Sequence, residues 1–557
     1  MNARLIVVAV AALLALAGCS GSHRLPPPSG AGAGAGVSDI GVKPRDEVRD
    51  GGDLRWPLDR MPDNFNYLQF SGATEQTASV VRAVLPTLFS GTASGGTRIN
   101  PDYLTSASVT STTPQTVTYW INPKAVWSNG TPITWHDFDA QWRALNGSDP
   151  AYQAAGQTGY RDIASVQPGT DNKQVIVTFS RTYAEWKGLF SPLYPAAANS
   201  DPALFNSGWI NRMPYTAGPF QLDSINPATK TITLKRSDNW WGAPAKLNRI
   251  IFRVLDRGAL PDALAANQID FYKIGSSVDL LKRAQSLPGI TIRQSPDREY
   301  NQITFNGSPG SVMADQALRQ AIAKGIDRVA IATQLVGQIV PNPQADGNHI
   351  YAFGSRRYRD NSDVLPFNTV AAGQELDALG WVQNAPNAIR IKNGRPLRLQ
   401  LVEGTPDPVS EQINELVRTQ LRQIGVDVYI RQVPLTQLSN QYRAGDFDLT
   451  TFAWQNGSTP FSSSRGLYAK PDGRNVQQNY GRIYSPEIDA LYSQGLAELD
   501  DGKRASIANR IDRLIWAEVH HLPLYPSTGT YAVRSNLANF GAPGFADVDY
   551  INAGYLK

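Results

Sequence analysis

"TYWINPKAVWSNGTPITWHDFDAQW", residues 118–142, combines three structural signals in one short stretch. Its first residues belong to a run rich in β-branched and aromatic side chains, residues 116–121, which predicts a strand. The Asn-Gly pair at 129–130 is typical of a tight turn. Thr134 predicts the N-cap of a helix with Asp137 at its N3 position. One side of that helix is apolar: Phe138, Trp142 and Leu145.

Strand and helix signals alternate along the rest of the chain. Residues 315–327, "DQALRQAIAKGID", predict a helix that Asp315 opens and that places apolar residues four positions apart. A second helix with one apolar face is predicted through Ile507, Ile511, Leu514 and Ile515. No repeat of fixed period is present, which argues against a solenoid. The pattern predicts a mixed α/β architecture.

Composition indicates a folded protein of ordinary surface charge. Of the 557 residues, 41% are hydrophobic and 18% are charged, which suits large buried cores rather than disorder. The formal net charge of +4 is small, and no block of five or six like charges occurs, so we expect no nucleic-acid partner. This length predicts two to four domains.

The N-terminus has the features of an export signal. One basic residue within Met1–Arg4 precedes thirteen apolar residues, and Leu16-Ala17-Gly18 supplies a small-residue exit, so we predict a signal peptide at residues 1–18. The apolar run is shorter than the roughly 20 residues that a membrane-spanning helix needs. Leu-Ala-Gly-Cys resembles a bacterial lipobox, and this resemblance implies that Cys19, the single cysteine, is lipidated and becomes the new N-terminus. A plain signal peptide with an incidental cysteine is the alternative.

Residues 24–38, "RLPPPSGAGAGAGVS", connect this anchor to the rest of the chain. Three prolines favour a stiff extended segment, and the Gly/Ala alternation favours a flexible one, so we predict a tether within residues 19–45. A phosphate-binding glycine loop is the alternative, but the G-x-G-x-x-G register and its flanking strand and helix signals are missing.

Several segments, taken in order, carry a family resemblance. The opening stretch resembles the signature region of the family 5 extracellular solute-binding proteins, the dipeptide- and oligopeptide-binding class of ABC importers. Four later segments resemble further blocks of that family, and the similarity runs from about Asp53 to the C-terminus. These segments are "AGPFQLDSINPATKTITLKRSDNWWG" at 217–242, "ALRQAIAKGIDR" at 317–328, "ELDALGW" at 375–381 and "LRQIGVDV" at 421–428.

The resemblance implies an α/β fold with two lobes, a periplasmic-binding-protein-like clamp of class II. It is the dipeptide/oligopeptide-binding type, with an extra subdomain in the first lobe. The lobes would be joined by strands near Tyr300 to Asn306 and again near Tyr525. The implied segments are residues 46–80, 208–300 and 526–557 for the core of lobe I, 81–207 for the inserted subdomain and 301–525 for lobe II.

The resemblance also implies a function. The protein would capture a peptide or similar polar ligand between its lobes and deliver it to the permease and ATPase subunits of an ABC transporter. The N-terminal lipid would hold it on the outer face of the bacterial cytoplasmic membrane, and we expect a monomer. The alternative is an envelope lipoprotein of the same fold that acts as a regulator or scaffold.

The resemblance places a ligand site around "FDLTTFAWQNGSTP", residues 447–460. Family peptide binders have a tryptophan at the position of Trp454 and, three residues later, an aspartate that neutralises the ligand's α-amino group; here Gly457 stands at that position. Because a buried ammonium needs a counter-charge, either another acid substitutes, such as Glu75 or Asp472, or the ligand is not an ordinary free-amine peptide.

Neighbouring side chains complete the predicted site. Gln455 and Asn456 could hydrogen-bond a neutral polar group, and Trp454 could stack on a ring, with a core tryptophan as the alternative. The remaining candidates lie at the inferred lobe crossings, where a structural hinge role is the alternative: Tyr300, Asn306 and Tyr525.

Residue types that could carry catalysis have simpler explanations. Asp137 and Asp139 open a helix, while Asp446 and Asp448 precede a strand, so capping or solvated faces explain both pairs better than acid/base chemistry. His520-His521 has no further ligand at metal-site spacing, and no G-x-S-x-G elbow is present. We therefore expect no enzyme activity, no cofactor and no metal.

Overall fold

The computed structural model describes residues 37–471 and 476–557. The predicted leader, Cys19 and Asp472 lie outside these residues, as does the tether up to residue 36. Among the described residues, no helix combines the length and apolar character that a membrane span requires.

The strands of the described residues are given in chain order. They are β1 Asp53–Leu58, β2 Phe89–Gly91, β3 Thr97–Ile99, β4 Leu104–Thr112, β5 Gln115–Ile121, β6 Ile163–Pro168, β7 Gln174–Phe179, β8 Phe220–Asn226, β9 Thr231–Arg236, β10 Arg249–Val254, β11 Phe271–Lys273, β12 Ile290–Gln294, β13 Glu299–Phe305, β14 Ile391–Lys392, β15 Arg395–Pro396, β16 Arg398–Thr405, β17 Asp427–Pro434, β18 Leu449–Gln455, β19 His521–Pro526, β20 Thr530–Arg534, β21 Leu537–Ala538 and β22 Gly554–Tyr555.

The α-helices of the described residues follow the same order. They are α1 Glu75–Val81, α2 Trp135–Leu145, α3 Ala196–Asn199, α4 Pro202–Ser207, α5 Leu260–Ala265, α6 Val278–Gln285, α7 Gln316–Lys324, α8 Arg328–Val336, α9 Thr369–Ala378, α10 Pro408–Gln423, α11 Leu435–Ala444, α12 Pro460–Tyr468, α13 Pro486–Ala497 and α14 Asp501–Glu518. Short 3-10 turns lie between them, one of them at Trp186–Gly188.

Two sheets lie in the segments predicted for the core of lobe I. The first has the strand order β1-β10-β9-β8, in which β1 and β10 are parallel and the other pairs are antiparallel. The second has the order β11-β20-β12 and is antiparallel throughout. Since β20 comes from the C-terminal part of the chain and its neighbours from the middle, this sheet ties distant segments into one lobe.

A separate antiparallel sheet of order β4-β5-β7-β6 forms the core of the inserted subdomain. The opening stretch of the sequence contributes β5 and α2 to it, as predicted. Gly130 adopts a positive φ of 84° in the predicted turn, where its amide donates to the Trp127 carbonyl (2.8 Å). Thr134 and Asp137 form the predicted capping box at the start of α2.

The segment predicted for lobe II contains a five-stranded sheet of order β17-β16-β18-β13-β19. The pairs β16/β17 and β16/β18 are parallel, with α10 and α11 as the crossover helices, while β13 is antiparallel to both of its neighbours. One face of the sheet packs under helices through buried residues such as Ile303, Phe305, Leu449 and Leu522.

The chain passes between the lobes twice, after β12 and after β19. The two crossings run side by side and are joined by backbone hydrogen bonds. The Ser527 amide donates to the Glu299 carbonyl (2.8 Å), and the Ser295 amide donates to the Gly529 carbonyl (3.2 Å). The exact boundaries given above for the lobes stay a prediction.

The last residues of the predicted tether differ from the expectation of a flexible segment. Residues 39–45 pack against the C-terminal part of lobe I. The Asp39 amide donates to the Ala542 carbonyl (2.8 Å). The Asn539 side chain accepts a hydrogen bond from the Lys43 amide and donates one to the Lys43 carbonyl. The prediction was wrong here because composition carries no information about a partner about 500 residues away. A tether can therefore extend only to about residue 38.

Candidate functional site

The C-terminal end of β18 carries the tryptophan of the predicted site. Trp454 is half-buried and stacks on Tyr480, with ring centroids 5.9 Å apart and an interplanar angle of 11°. Phe452 contacts it edge-on at 5.0 Å. Together with Tyr442 and Phe447, these residues form what we call the aromatic cluster. Trp454 therefore lies at the edge of a small apolar cluster rather than inside a core.

The two polar residues that follow have different environments. Gln455 is exposed and lies opposite Glu299 across the β13/β18 pair. Asn456 is buried, its amide donates to the Arg298 carbonyl (2.9 Å), and its Nδ2 atom finds no hydrogen-bond partner within the described ranges. A buried donor of this kind is costly unless a ligand or water accepts from it.

The resemblance places Gly457 at the position of the amine-binding aspartate of family peptide binders, and the structure shows that Gly457 is tightly packed. A Cβ atom at position 457 would come within 2.5 Å of Ser463 Cβ. Real Cβ atoms do not approach so closely, so any side chain at this position requires α12 to shift. The structure therefore leaves no room for the aspartate.

Glu75 is the first residue of α1, after the N-cap residue Thr74. Its carboxylate interacts electrostatically with Lys273, Glu299 and Asp297, and more weakly with Asp59. The Lys273 Nζ atom lies 2.7 Å from Asp297 Oδ2 and 3.7 Å from Glu299 Oε2. We call Glu75, Lys273, Asp297 and Glu299 the acidic recess. It holds three carboxylates and one ammonium group.

The charges of the acidic recess influence one another. Desolvation raises the pKa of Glu75, Lys273 opposes this, and Glu299 and Asp297 add to it. Burial disfavours the charge of Lys273, but Asp297 and Glu299 outweigh it and hold the lysine pKa above its usual range. The Glu75 side chain is nonetheless exposed to solvent. A dissolved cation can therefore reach a carboxylate that lacks a full counter-charge.

The other predicted candidates have structural contacts. Tyr300 is buried, with its hydroxyl 3.2 Å from His521 Nε2. Asn306 lies at the far end of β13, where its Nδ2 donates to the carbonyls of Gly445 (2.9 Å) and Phe447 (2.7 Å). Asn306 therefore lies away from the end of β18, whereas Tyr300 lies opposite Trp454 across the β13/β18 pair, with its side chain buried against His521. These contacts favour the structural alternative for both residues.

Tyr525 lies at the second crossing, opposite Asn301 on β13. It is buried in the core of lobe II, and its hydroxyl lies near that of Ser276 in lobe I. Its position suits a hinge better than an open ligand surface.

Sequence reasoning missed the residues that surround Glu75, and it also missed Arg298. The Arg298 guanidinium donates to the carbonyl of Phe545 (2.9 Å) and to that of Gly457 (3.3 Å), so it fixes the loop after β18. The three consecutive charges at 297–299, directly before a crossing strand, are the signal that could have identified this region.

The residue pairs that resemble catalytic groups are engaged in the fold. Asp137 accepts hydrogen bonds from the amides of Thr134 and Ala196, each at 2.8 Å, while Asp448 accepts from the Gln400 amide (2.8 Å). His520 and His521 are buried, and burial lowers the pKa of both. No group of three potential metal-binding side chains occurs in the part of the chain that the structure describes.

Comparison with known proteins supports one family over most of the chain. The sequence profile described as "Bacterial extracellular solute-binding proteins, family 5 Middle" matches residues 98–475. The oligopeptide-binding protein OppA of Mycobacterium tuberculosis (strain ATCC 25618 / H37Rv) is 41% identical over 552 residues. That match covers 98% of this chain and 92% of OppA.

Solved structures support the same fold. The periplasmic EDTA-binding protein EppA superposes with a TM-score of 0.85 at 23% identity, covering 94% of this chain and 99% of that protein. The oligopeptide-binding protein AppA from Bacillus subtilis, solved with a nonapeptide, superposes with a TM-score of 0.76 at 18% identity, covering 92% and 100%. The fold is the two-lobed α/β clamp, and the chain belongs to the family 5 bacterial extracellular solute-binding proteins.

Proposed function

We propose that this protein is a lipid-anchored receptor that captures a peptide, or a ligand with a peptide's polar groups, between its lobes and delivers it to an ABC permease. It is a binding protein and not an enzyme, in keeping with its family. The name of the M. tuberculosis relative and the nonapeptide in the AppA structure support a peptide ligand. The lipobox-like sequence at Cys19 supports anchoring on the outer face of the cytoplasmic membrane.

The acidic recess is the observation that carries this proposal. Its three carboxylates face one lysine, so it has a surplus of negative charge beside the end of β18. A peptide's α-ammonium group needs a counter-charge when it leaves water, because an unpaired buried charge costs several kcal/mol. Glu75 supplies that charge in place of an aspartate at position 457, where the packing leaves no room for a side chain.

The end of β18 provides the neutral part of the site. Asn456 Nδ2, which has no hydrogen-bond partner in the described part of the chain, is a donor for a peptide carbonyl, and Gln455 is an exposed amide next to it. Trp454 offers a half-buried ring for an apolar or aromatic ligand side chain. A polyanion such as the EDTA named for EppA suits this site poorly, because it would face the carboxylates of the acidic recess.

The test is calorimetric titration with Ala-Ala-Ala and its N-acetylated form, preceded by mass spectrometry of any ligand that co-purifies. We expect the free amine to bind at least about tenfold more tightly, since each factor of ten corresponds to about 1.4 kcal/mol. Glu75→Gln should remove this preference by weakening only the free-amine peptide, whereas Trp454→Ala should weaken both peptides.

The matched control is Glu487→Gln, a surface glutamate of α13 that pairs with Arg510. It should bind both peptides as the parent protein does. If peptides at millimolar concentration neither bind nor raise the melting temperature, the peptide proposal is wrong, and the regulator or scaffold alternative gains support.

A further inference from the structure

A buried carboxylate ties the inserted subdomain to α12. Glu185 belongs to the segment 183–188 of the inserted subdomain, which Gln115 of β5 fixes by two hydrogen bonds to the backbone of Tyr183. The Glu185 carboxylate is buried against the first turn of α12, a helix that directly follows the ligand-site strand β18.

The contact satisfies the N-terminus of α12. The amides of Phe461 (2.9 Å) and Ser462 (2.8 Å) donate to the two oxygens of Glu185, and the Ser462 hydroxyl donates to the same carboxylate. The N-cap residue Thr459 makes no side-chain capping bond of its own. Because the first amides of a helix lack partners within it, α12 receives its cap from the other lobe.

Neighbouring bonds strengthen the same junction. The Tyr183 hydroxyl lies 2.6 Å from that of Ser462, and the Ala184 amide donates to the Leu496 carbonyl of α13 (2.6 Å). The end of α14 also contacts α7, because its Ala517 carbonyl accepts hydrogen bonds from Gln316 and Gln320. Buried residues of α12 and α13, such as Phe461 and Leu496, share one hydrophobic cluster with Trp186 of the inserted subdomain. These polar and apolar contacts together join the inserted subdomain to the helices that precede β19.

We propose that Glu185 is a positioning residue that sets ligand affinity from outside the site, by holding α12 and the inserted subdomain together in the closed clamp. In an open clamp, water would solvate the carboxylate and the first amides of α12 would lose their cap. The contact therefore favours the closed form, and a site whose closed form is more populated binds more tightly. The role of Glu185 in closure depends only on the clamp fold. Its effect on ligand affinity depends also on the proposed function.

Gly188 and Thr459 lie close together at this junction, which allows a direct test. A Cβ placed on Gly188 would lie 3.7 Å from Thr459 Cβ, within the range of about 3.5–4.5 Å that a disulfide requires. Apart from Cys19, the chain has no cysteine. The full chain with Cys19→Ser, Gly188→Cys and Thr459→Cys therefore carries thiols only at the junction.

The experiment measures the rate of disulfide formation under a mild oxidant without ligand. We expect the cysteine pair to cross-link and Glu185→Gln to slow the reaction about tenfold, because a neutral amide replaces charge-assisted hydrogen bonds. The control is Asp162→Asn, which breaks an ion pair with Arg181 in the same subdomain and should leave the rate unchanged. Equal melting temperatures show that the variants are folded; if Glu185→Gln unfolds the protein, Ser462→Ala takes its place.

Two results would overturn the proposal. One is a cysteine pair that does not cross-link, which means that the lobes do not touch at this junction. The other is a folded Glu185→Gln variant that cross-links as fast as the parent. Because no ligand is used, neither result bears on the peptide-binding proposal, which the calorimetric titration tests separately.

Discussion

Asp346 is a fully buried carboxyl group in lobe II with an incomplete set of partners. The Asn348 amide donates to its Oδ1 atom (3.2 Å), whereas Oδ2 has no hydrogen-bond partner among residues 37–471 and 476–557. Burial raises the pKa of Asp346 to about 7, Asp512 contributes in the same direction, and Arg328 opposes it. The protonated form is therefore favoured in the folded protein well above the pH at which an unfolded chain loses this proton.

This shift predicts a pH dependence of stability. Between the ordinary aspartate pKa near 4 and the folded value of about 7, the folded state holds a proton that the unfolded state has released, so stability falls as pH rises through this window. Asp346→Asn cannot ionise there. Relative to the parent, its free energy of unfolding should rise by up to about 1.4 kcal/mol per pH unit across the window and then level off.

Thermal melts from pH 4 to pH 8 measure this difference. The control is Asp489→Asn, which changes a partly exposed aspartate that pairs with Arg465 on the surface. Its curve should run parallel to that of the parent protein. A parallel curve for Asp346→Asn as well would show that Asp346 does not titrate in this range.

Single residues were predictable from the sequence where a motif marks them. The family resemblance marks Trp454 and Gly457, and the structure places Trp454 in β18 and Gly457 two residues after that strand. Their roles in ligand binding stay a prediction. Lys273 and Asp297 were not predictable, because their roles depend on the meeting of β11 with a lobe crossing, which no local pattern encodes. The function of Glu75 depends on these neighbours and stays a prediction.

At the scale of elements, Asp137 and Asp139 of α2 have different roles although they are two residues apart. Asp137 is buried and accepts from the Thr134 and Ala196 amides, so it caps α2 and connects it to α3. Asp139 pairs with Arg143, whose side chain is 67% exposed. Asp137→Ala should cost about 1–3 kcal/mol because it leaves buried donors unpaired. Asp139→Ala should cost less than about 1 kcal/mol.

Thermal midpoints of the two alanine variants make this comparison within one helix. The larger loss should belong to Asp137→Ala, with peptide affinity unchanged in both variants. Equal losses would mean that the capping contacts contribute no more than a surface ion pair.

Elements were predictable where their start signals are local. Thr134 caps α2 and Asp315 caps α7 by accepting from amides two or three residues away, so the sequence contains both partners. The start of α12 is different, because its cap is Glu185, which is 276 residues from Phe461 in the chain. Sequence patterns cannot show a cap that forms only when two lobes meet.

At the scale of the whole molecule, the two-lobed clamp was predictable only through the family resemblance. Alternating strand and helix signals predicted an α/β protein, which the sheets and helices confirm. They could not predict that β13 and β19 are neighbours in lobe II, because these strands are more than 200 residues apart. Such long-range pairing is decided by packing of the complete chain.

The packing of residues 39–49 on lobe I leads to a last prediction. The Phe540 amide donates to the Ile40 carbonyl (2.9 Å), the Arg293 guanidinium also donates to that carbonyl (2.8 Å), and Val48 is fully buried. A protein that starts at residue 50 loses these contacts, and buried Arg293 loses an acceptor. A protein that starts at residue 37 keeps all of them.

The shorter protein should therefore melt several degrees below the one that starts at residue 37, which should match the full chain. The reason is that residues 39–49 complete the core of lobe I beside β21 and β22, with the Arg49 amide donating to the Tyr555 carbonyl (2.9 Å). Differential scanning calorimetry of the three proteins makes the comparison. Equal melting temperatures for all three proteins would mean that residues 39–45 belong to the flexible tether, since a segment that contributes no stability is not part of the folded lobe.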